Sequence, residues 1–491
     1  MSQINISNVT FAYEGSGDTI FEQVSLRIDS AWRLGLVGRN GKGKTTLLRL
    51  MMGDYPYSGN ISSDKAFAYF PLPINDETWM AMELIPEDVP LWKVQRELSI
   101  MGTEEELLYR PFHTLSGGEK TRVMLAILFA KEDCFLLIDE PTDHLDAQAR
   151  QQVGAYLKTK EGFVLVSHDR ALLDTCTDHI LAINRATIEI QKGNFSSWYE
   201  NRRKQDAHEW NEHEKQIRTI NELEKAARQT ARWSDKIEKT KNGHKVSGLK
   251  PDKGYIGHQA AKMMKRSKAA ACRQEKAIQK KKTLLKDVEK TFSLKLEPLV
   301  YHTKSLITMD DISIYYQEQP ACSHVTAELR QGDRILLAGA NGSGKSSILK
   351  LITGENLRFT GQLHISSKLV ISYVPQETGS LKGTLKEYAC KWNIDESRFK
   401  AVLNKMDFTK EQFSKPMEVF SQGQKKKVML ARSLCQSAHL YIWDEPFNYI
   451  DLFSRMQIEE LILAAQPTML LVEHDLTFIQ KAVTGTIELG T

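Results

Sequence analysis

A chain of 491 residues, 41% hydrophobic and 26% charged, is ordinary globular material with room for two or three domains, each able to bury its own core. Its formal charge of +4 hides a division: residues 201–297 carry 26 Lys+Arg against 13 Asp+Glu, a net of +13, so the chain totals of 66 and 62 leave 40 against 49, or −9, for everything else. The opening residues lack a basic stretch followed by an apolar run, no window approaches 18 apolar residues, and six cysteines form no CxxC pair, so the composition argues against a secretory signal, a membrane span and a zinc module and for a cytosolic protein.

In chain order, the first strong signal is an apolar strand, Arg33 to Val37, running into Gly38-Arg-Asn40-Gly41-Lys-Gly43-Lys44-Thr45-Thr46 and then a helix. Glycines there let successive N–H groups turn inward on nucleotide phosphates at a helix N-terminus. Lys44 is expected to reach the β- and γ-phosphates, and Thr45 to offer its hydroxyl to Mg²⁺. Tyr13, 25 residues before Gly38, is a candidate to stack on a base. Leu-Ser116-Gly117-Gly118-Glu119-Lys120 follows, then Phe-Leu-Leu-Ile-Asp139-Glu140-Pro141, His144-Leu-Asp146 and Val-Ser167-His168-Asp169. An apolar run ending in two carboxylates reads as a buried parallel strand, with the acids at the edge where ligands sit in α/β sheets. Asp139 is the expected Mg²⁺ residue, Glu140 the group that polarises the attacking water, and His168 the γ-phosphate contact.

The middle of the chain has helical periodicity and little strand character. Trp210, Ile217, Ile220, Leu223 and Ala227 make one narrow stripe, and Ala261, Met264, Ala271, Ile278, Leu285 and Val288 make another. Two long antiparallel helices joined by a loop at 241–259, where four glycines and a proline interrupt the pattern, account for both. Helices of roughly 40 residues reach about 60 Å, so the hairpin projects. Its dense Lys and Arg suit a phosphate backbone.

After the hairpin the first series repeats about 300 residues later. Tyr316 precedes Gly339-Ala-Asn341-Gly342-Ser-Gly344-Lys345-Ser346-Ser347; then come Val-Pro-Gln376, Phe-Ser421-Gln422-Gly423-Gln424-Lys425, Leu-Tyr-Ile-Trp-Asp444-Glu445-Pro446, Tyr449-Ile-Asp451 and Val-Glu473-His474-Asp475. Lys345, Ser346, Asp444, Glu445 and His474 take the roles of their first-copy counterparts. The expected architecture is α/β: two tandem P-loop ATPase domains, 1–200 and 298–491, joined by a helical-hairpin linker, 201–297.

Ser116-Gly-Gly-Glu-Lys and its twin Ser421-Gln-Gly-Gln-Lys resemble the signature loops of ATP-binding-cassette ATPases, and the whole series is similar to two cassettes in one chain. The resemblance implies ATP and Mg²⁺ as cofactors and head-to-tail packing. One site would then join Gly38 to Thr45, Asp139, Glu140 and His168 with Ser421, Gly423 and Gln424; the other would join Gly339 to Ser346, Gln376, Asp444, Glu445 and His474 with Ser116, Gly117 and Gly118. Gln376 would also help to hold Mg²⁺.

Fused cassettes with a charged helical linker and no membrane domain resemble the F subfamily, and the runs around Asp444, Ser421 and the linker loop look similar to Lsa- and Vga-type antibiotic-resistance proteins of Gram-positive bacteria. What this implies is a cytoplasmic, ribosome-associated monomer that enters the exit site and points its linker at the peptidyl-transferase centre. There it would contact 23S rRNA and P-site tRNA and dislodge lincosamides, pleuromutilins and group A streptogramins. Lys245, Val246, Ser247, Gly248, Leu249 and Lys250 would lie nearest the drug. A housekeeping translation factor, a transporter's ATPase subunit and a DNA-repair ATPase are the alternatives.

Two departures predict unequal ATP sites: the first copy has Phe-Pro-Leu72 where the second has Val-Pro-Gln376, and Gln422 replaces the second signature's glycine. Leu72 to Ser116 spans 44 residues and Gln376 to Ser421 spans 45, so the first cassette carries no extra arm.

Overall fold

The computed structural model describes residues 3–14, 19–74, 76–142, 145, 147–183, 188–205, 207, 208, 211, 215, 218, 222, 225, 296–316, 319–340, 342–379, 381–409 and 411–489. Two compact units emerge, one formed by Met1–Trp198 with Ser293–Thr491 and the other by Tyr199–Phe292. In the second unit the described residues up to 225 are helical. The loop at 241–259, the candidate tip residues Lys245 to Lys250 and every residue of both apolar stripes lie outside the described residues. No helix among those described is long and apolar enough to cross a membrane.

The first unit contains the expected repeat. In the first copy the strands are β1 (Gln3–Ala12), β2 (Thr19–Asp29), β3 (Arg33–Gly38), β4 (Ser58–Ser63), β5 (Ala66–Phe70), β6 (Cys134–Asp139), β7 (Phe163–Val166), β8 (His179–Ile183) and β9 (Ile188–Lys192). One sheet has the order β5-β6-β7-β3-β8-β9, parallel up to β8, and an antiparallel sheet has the order β2-β1-β4. The second copy supplies β10 (Ser305–Tyr316), β11 (Gln319–Arg330), β12 (Arg334–Ala338), β13 (Arg358–Ile365), β14 (Ile371–Val374), β15 (Leu440–Asp444), β16 (Met469–Val472) and β17 (Gly485–Glu488). They form β14-β15-β16-β12-β17, all parallel, and β11-β10-β13. Among the described residues the two copies therefore share one topology, apart from β9, which extends the first sheet.

Burial explains why these segments are strands. β7 and β16 are buried at every position, β15 likewise, and β3 and β6 nearly so, because helices or a second sheet cover both faces. Each apolar core lies between its antiparallel sheet, its parallel sheet and the helix after the glycine loop, α1 (Lys44–Met52) or α6 (Lys345–Ile352). The opposite face of the second parallel sheet packs on α7 (Leu385–Lys391), α8 (Glu396–Lys405) and α9 (Gln422–Cys435).

Parallel order places all the strand-end motifs along one edge. β6 and β3 flank β7, and β15 and β12 flank β16, so each glycine loop, acidic pair and histidine converge at the carboxyl ends.

Candidate functional site: two nucleotide sites

Both glycine loops depend on a left-handed glycine at the helix entrance. Gly43 has φ 93°, and a Cβ there would lie 2.7 Å from Ile20 Cγ2 and 2.8 Å from Phe21 Cζ; at Gly344, φ 86°, it would lie 2.6 Å from the Ala321 carbonyl. The turn and the close approach of β2 or β11 both require glycine. Lys44 folds back into its own loop, donating to the Gly38 carbonyl at 2.8 Å and to Asn40 Oδ1 at 3.1 Å. Lys345 does the same with the carbonyls of Gly339 and Ala340, both at 2.8 Å. Burial lowers the Lys44 pKa, opposed by Glu140, Asp451 and Asp139.

Thr45 donates from its hydroxyl to Asp139 Oδ2 at 2.8 Å, and Tyr69 donates to the same oxygen at 3.0 Å. In the second copy Ser346 hydrogen-bonds Asp444, whose pKa burial raises. Asp444 is 1% exposed, and its Oδ1 is a buried oxygen without a hydrogen-bond partner among the described residues. A hydroxyl and a carboxylate together, one with an oxygen to spare, are a donor set that fits Mg²⁺. Among the described residues no group of three or more His, Cys, Asp or Glu is placed to hold a metal ion by itself.

Glu140 and Glu445 have φ of 50° and 44°, in the left-handed region that a glutamate rarely adopts. Glu140 Oε2 accepts from the His168 main-chain N–H at 3.1 Å, with His168 Nε2 3.3 Å from its other oxygen. Burial, with Lys44 and Arg455 close by, holds the His168 pKa well below its usual value, so this imidazole is neutral. Glu445 Oε2 accepts from Gln376 Nε2 at 2.7 Å and from Asn448 Nδ2 at 2.6 Å, and His474 Nε2 is 3.9 Å from Oε1. The two glutamates thus sit in different hydrogen-bond sets: Leu72 offers nothing in place of Gln376, and the N–H that His168 gives to Glu140 is given by His474 to Glu473 instead.

Tyr13 and Tyr316 stand at the rims, 40% and 47% exposed. Tyr13 OH shares a hydrogen bond with Thr46 Oγ1 at 2.8 Å, and Ser347 donates to Tyr316 OH at 3.3 Å.

Cross-cassette contacts join each site to the other copy. Asn40 Nδ2 donates to the Tyr449 carbonyl at 3.3 Å, Arg39 pairs with Asp407, and Arg455 Nη1 donates to the His168 carbonyl at 3.0 Å. A cavity of about 450 Å³ is lined by Tyr316, Gly342, Gly344, Lys345, Ser346, Ser347, Gln376, Glu445 and His474, and also by Leu145 and Arg150 of the first copy. Segments from opposite copies therefore meet at both glycine loops.

The signature serines do something more local. Ser116 caps α3 (Gly117–Phe129) by accepting from Glu119 N at 3.3 Å while Glu119 Oε2 takes the Ser116 N–H at 2.7 Å; Ser421 and Gln424 repeat this at 3.3 and 3.0 Å. Gly423 reaches the cross-cassette layer indirectly, since a Cβ there would stand 2.7 Å from the Tyr449 carbonyl that Asn40 uses. His144, Asp146 and Asn341 lie outside the described residues.

Several participants have no place in the sequence expectations: Tyr69, Asn448, the Arg39–Asp407 pair and the arginines 150 and 455. A signal for the last two exists. Each arginine follows the aspartate of its copy, Asp146 or Asp451, by four residues.

The ABC transporter family model matches residues 21–143 and 322–448. The chain is 28% identical to the ribosome protection protein VmlR of Bacillus subtilis (strain 168), over 97% of this chain and 85% of that protein. It is 27% identical to the ATP-binding protein Uup of Caulobacter vibrioides, over 96% of this chain and 74% of that protein. Among solved structures, the archaeal ribosome recycling factor aABCE1, in complex with the ribosomal stalk protein aP1, superposes with a TM-score of 0.63 at 18% identity, covering 99% of this chain and 87% of that one.

Proposed function

The chain belongs to the ATP-binding-cassette family, whose paired domains bind and hydrolyse ATP, and from that premise we propose that it is an ATP-driven ribosome protection factor of the F type. The observation that carries this reading is the full-length similarity to VmlR, which spans both cassettes and the basic stretch of net +13 between them. A transporter subunit or a DNA-repair ATPase would not call for that pairing.

In this reading Lys44 and Lys345 swing from their loop carbonyls to the β- and γ-phosphates as ATP enters. Tyr13 and Tyr316 cover the base. Mg²⁺, held by Thr45 with Asp139 and by Ser346 with Asp444 and Gln376, would neutralise phosphate charge. Glu140 and Glu445 orient and polarise the attacking water, and His168 and His474 contact the γ-phosphate. Ser116, Gly117 and Gly118 on one side, and Ser421, Gly423 and Gln424 on the other, approach the opposite nucleotide on closure, where a helix N-terminus favours its negative charge. Closure fastens the cassettes and hydrolysis releases them.

The closed form enters the exit site of a bacterial ribosome and holds the linker against 23S rRNA and P-site tRNA. Its tip, Lys245 to Lys250, displaces lincosamides, pleuromutilins and streptogramin A. The protein works as a cytoplasmic monomer. Glu140→Gln with Glu445→Gln is the direct test: the double variant is expected to co-sediment with purified ribosomes in ATP, and sedimentation no better than wild type would end the proposal. Ribosome binding without rescue of translation from these drugs would favour a housekeeping factor.

A further inference from the structure

Lys426 occupies a position where an ammonium group is hard to accommodate. It lies on α9 just after the second signature and is 1% exposed. Its Nζ donates to three main-chain oxygens: Pro375 at 2.9 Å, Asp444 at 3.0 Å and Gln376 at 3.4 Å. All three of its donors are thereby used. Pro375 and Gln376 follow β14, Asp444 ends β15, and these neighbouring strands pair up to Val374 and Trp443. One cation therefore ties two strand ends together just where their own ladder stops.

A buried ammonium costs stability unless its surroundings compensate, and a helix-to-sheet contact here does not need one. The first copy shows the simpler solution. Thr121 stands five residues after Ser116, as Lys426 stands five after Ser421, and is buried too. The same comparison sets Gln376 against Leu72. Lysine and glutamine occur together in one cassette and are replaced together in the other. What the lysine holds is the main chain of the glutamine whose side chain bonds Glu445. Burial pushes the Lys426 pKa down to about 8, and the carboxylates of Asp444, Glu473 and Glu445 offset part of that cost.

We propose that Lys426 is a positioning residue of the second ATP site, clamping the main chain of Gln376 and Asp444 so that Gln376 holds Glu445 in its working orientation, while the first site works without such a clamp. This rests on the assignment of Glu445 to the attacking water.

The test uses the full-length chain with one site silenced at a time, by Glu140→Gln or by Glu445→Gln. Lys426→Met, which keeps the length of the side chain without its charge, should lower kcat about tenfold or more in the Glu140→Gln background, since small displacements of catalytic groups carry penalties of this order. KM and the affinity for a fluorescent mant-ATP probe should change less than about twofold, as expected for loss of an interaction used in the chemical step alone. In the Glu445→Gln background the same substitution should leave kcat unchanged. Lys426→Thr, the residue the first cassette already carries, should behave as Lys426→Met and keeps the test open should the methionine variant fold poorly. Equal losses in both backgrounds, or a fall in melting temperature with kcat preserved, would overturn the proposal. If the Glu140→Gln/Glu445→Gln enzyme still turns over ATP, the Glu445 assignment fails and takes this proposal with it. If that enzyme is inactive but Lys426→Met leaves the Glu140→Gln rate intact, only the lysine's role is lost.

Discussion

Arg455 donates from Nη1 to the main-chain carbonyl of His168 at 3.0 Å, joining residues 287 positions apart. The donor is anchored in its own cassette by Nε, which bonds the Ile450 carbonyl at 2.8 Å. The acceptor's own N–H holds Glu140. A buried arginine of one copy thus holds the carbonyl of the same residue whose N–H, one peptide unit earlier, binds the proposed water-activating glutamate of the other.

Arg455→Ala is expected to cost about 1.5–3 kcal/mol, the usual worth of a hydrogen bond to a charged group. The loss should register as a lower melting temperature. It should also slow ATP turnover at the first site more than at the second, measured with Glu445→Gln and Glu140→Gln as the respective backgrounds.

Arg39 and Asp407 form a second cross-copy pair, and both are only partly exposed. A double-mutant cycle with Arg39→Ala and Asp407→Ala should give a coupling of about 1 kcal/mol that shrinks in high salt. Exchanging the charges, with Arg39→Asp and Asp407→Arg together, should recover part of what either substitution loses alone. Chemical denaturation of the four proteins reads the coupling directly.

The two signature helices should tolerate a methyl group differently. At Gly423 a Cβ would meet the Tyr449 carbonyl at 2.7 Å, whereas at Gly118 it would meet the Ala149 Cβ at 3.4 Å, an ordinary contact. Gly423→Ala is expected to cost about 1–3 kcal/mol through local overpacking and to loosen the Asn40–Tyr449 bond. Gly118→Ala should be close to neutral. Melting temperatures of the two variants make the comparison.

How much of this was legible in the residues depends on the range of each interaction. Strand, glycine loop and helix were readable because their reasons are local: continuous apolar runs for β3 and β15, and glycines at 43 and 344 where the backbone turns left-handed. Leu72 against Gln376 was readable as a difference between the copies, and it accounts for one bond to Glu445; the bond from His474 to Glu473, which leaves Glu445 without the main-chain donor that Glu140 has, was not. The contacts of Arg39, Arg455 and Lys426 were not, because each partner lies on a remote segment and no periodicity relates them. The resemblance assigns the serines a partner across the interface, and a capping box with Glu119 or Gln424 also uses them within their own helices.

Asp451 couples stability to acidity. It is fully buried, which would raise its pKa, but Lys427 at 2.7 Å and the N–H and hydroxyl of Ser454 hold it below the ordinary carboxylate value. Its contribution is therefore present above the unfolded value of about 3.9 and is lost as pH falls toward the lower folded value. Asp451→Asn should cost about 3–5 kcal/mol near neutral pH by leaving Lys427 buried without its counter-charge. The gap in melting temperature between the two proteins should narrow on acidification below about pH 4.

Deleting 241–259 should leave basal ATP turnover intact, since the nucleotide sites are built from Met1–Trp198 and Ser293–Thr491. Drug rescue in a purified translation system should disappear. Ribosome affinity of the intact chain should fall steeply as salt rises, with a slope that lessens when linker lysines are neutralised, as counterion release requires. Co-sedimentation across a salt series measures it.

The first glycine loop leans on Asp407 and Tyr449, which lie far toward the other end of the polypeptide. Protein synthesis proceeds from the amino terminus, so these supports are made 368 residues or more after Arg39. A nascent first copy therefore lacks the cross-copy contacts of its own glycine loop.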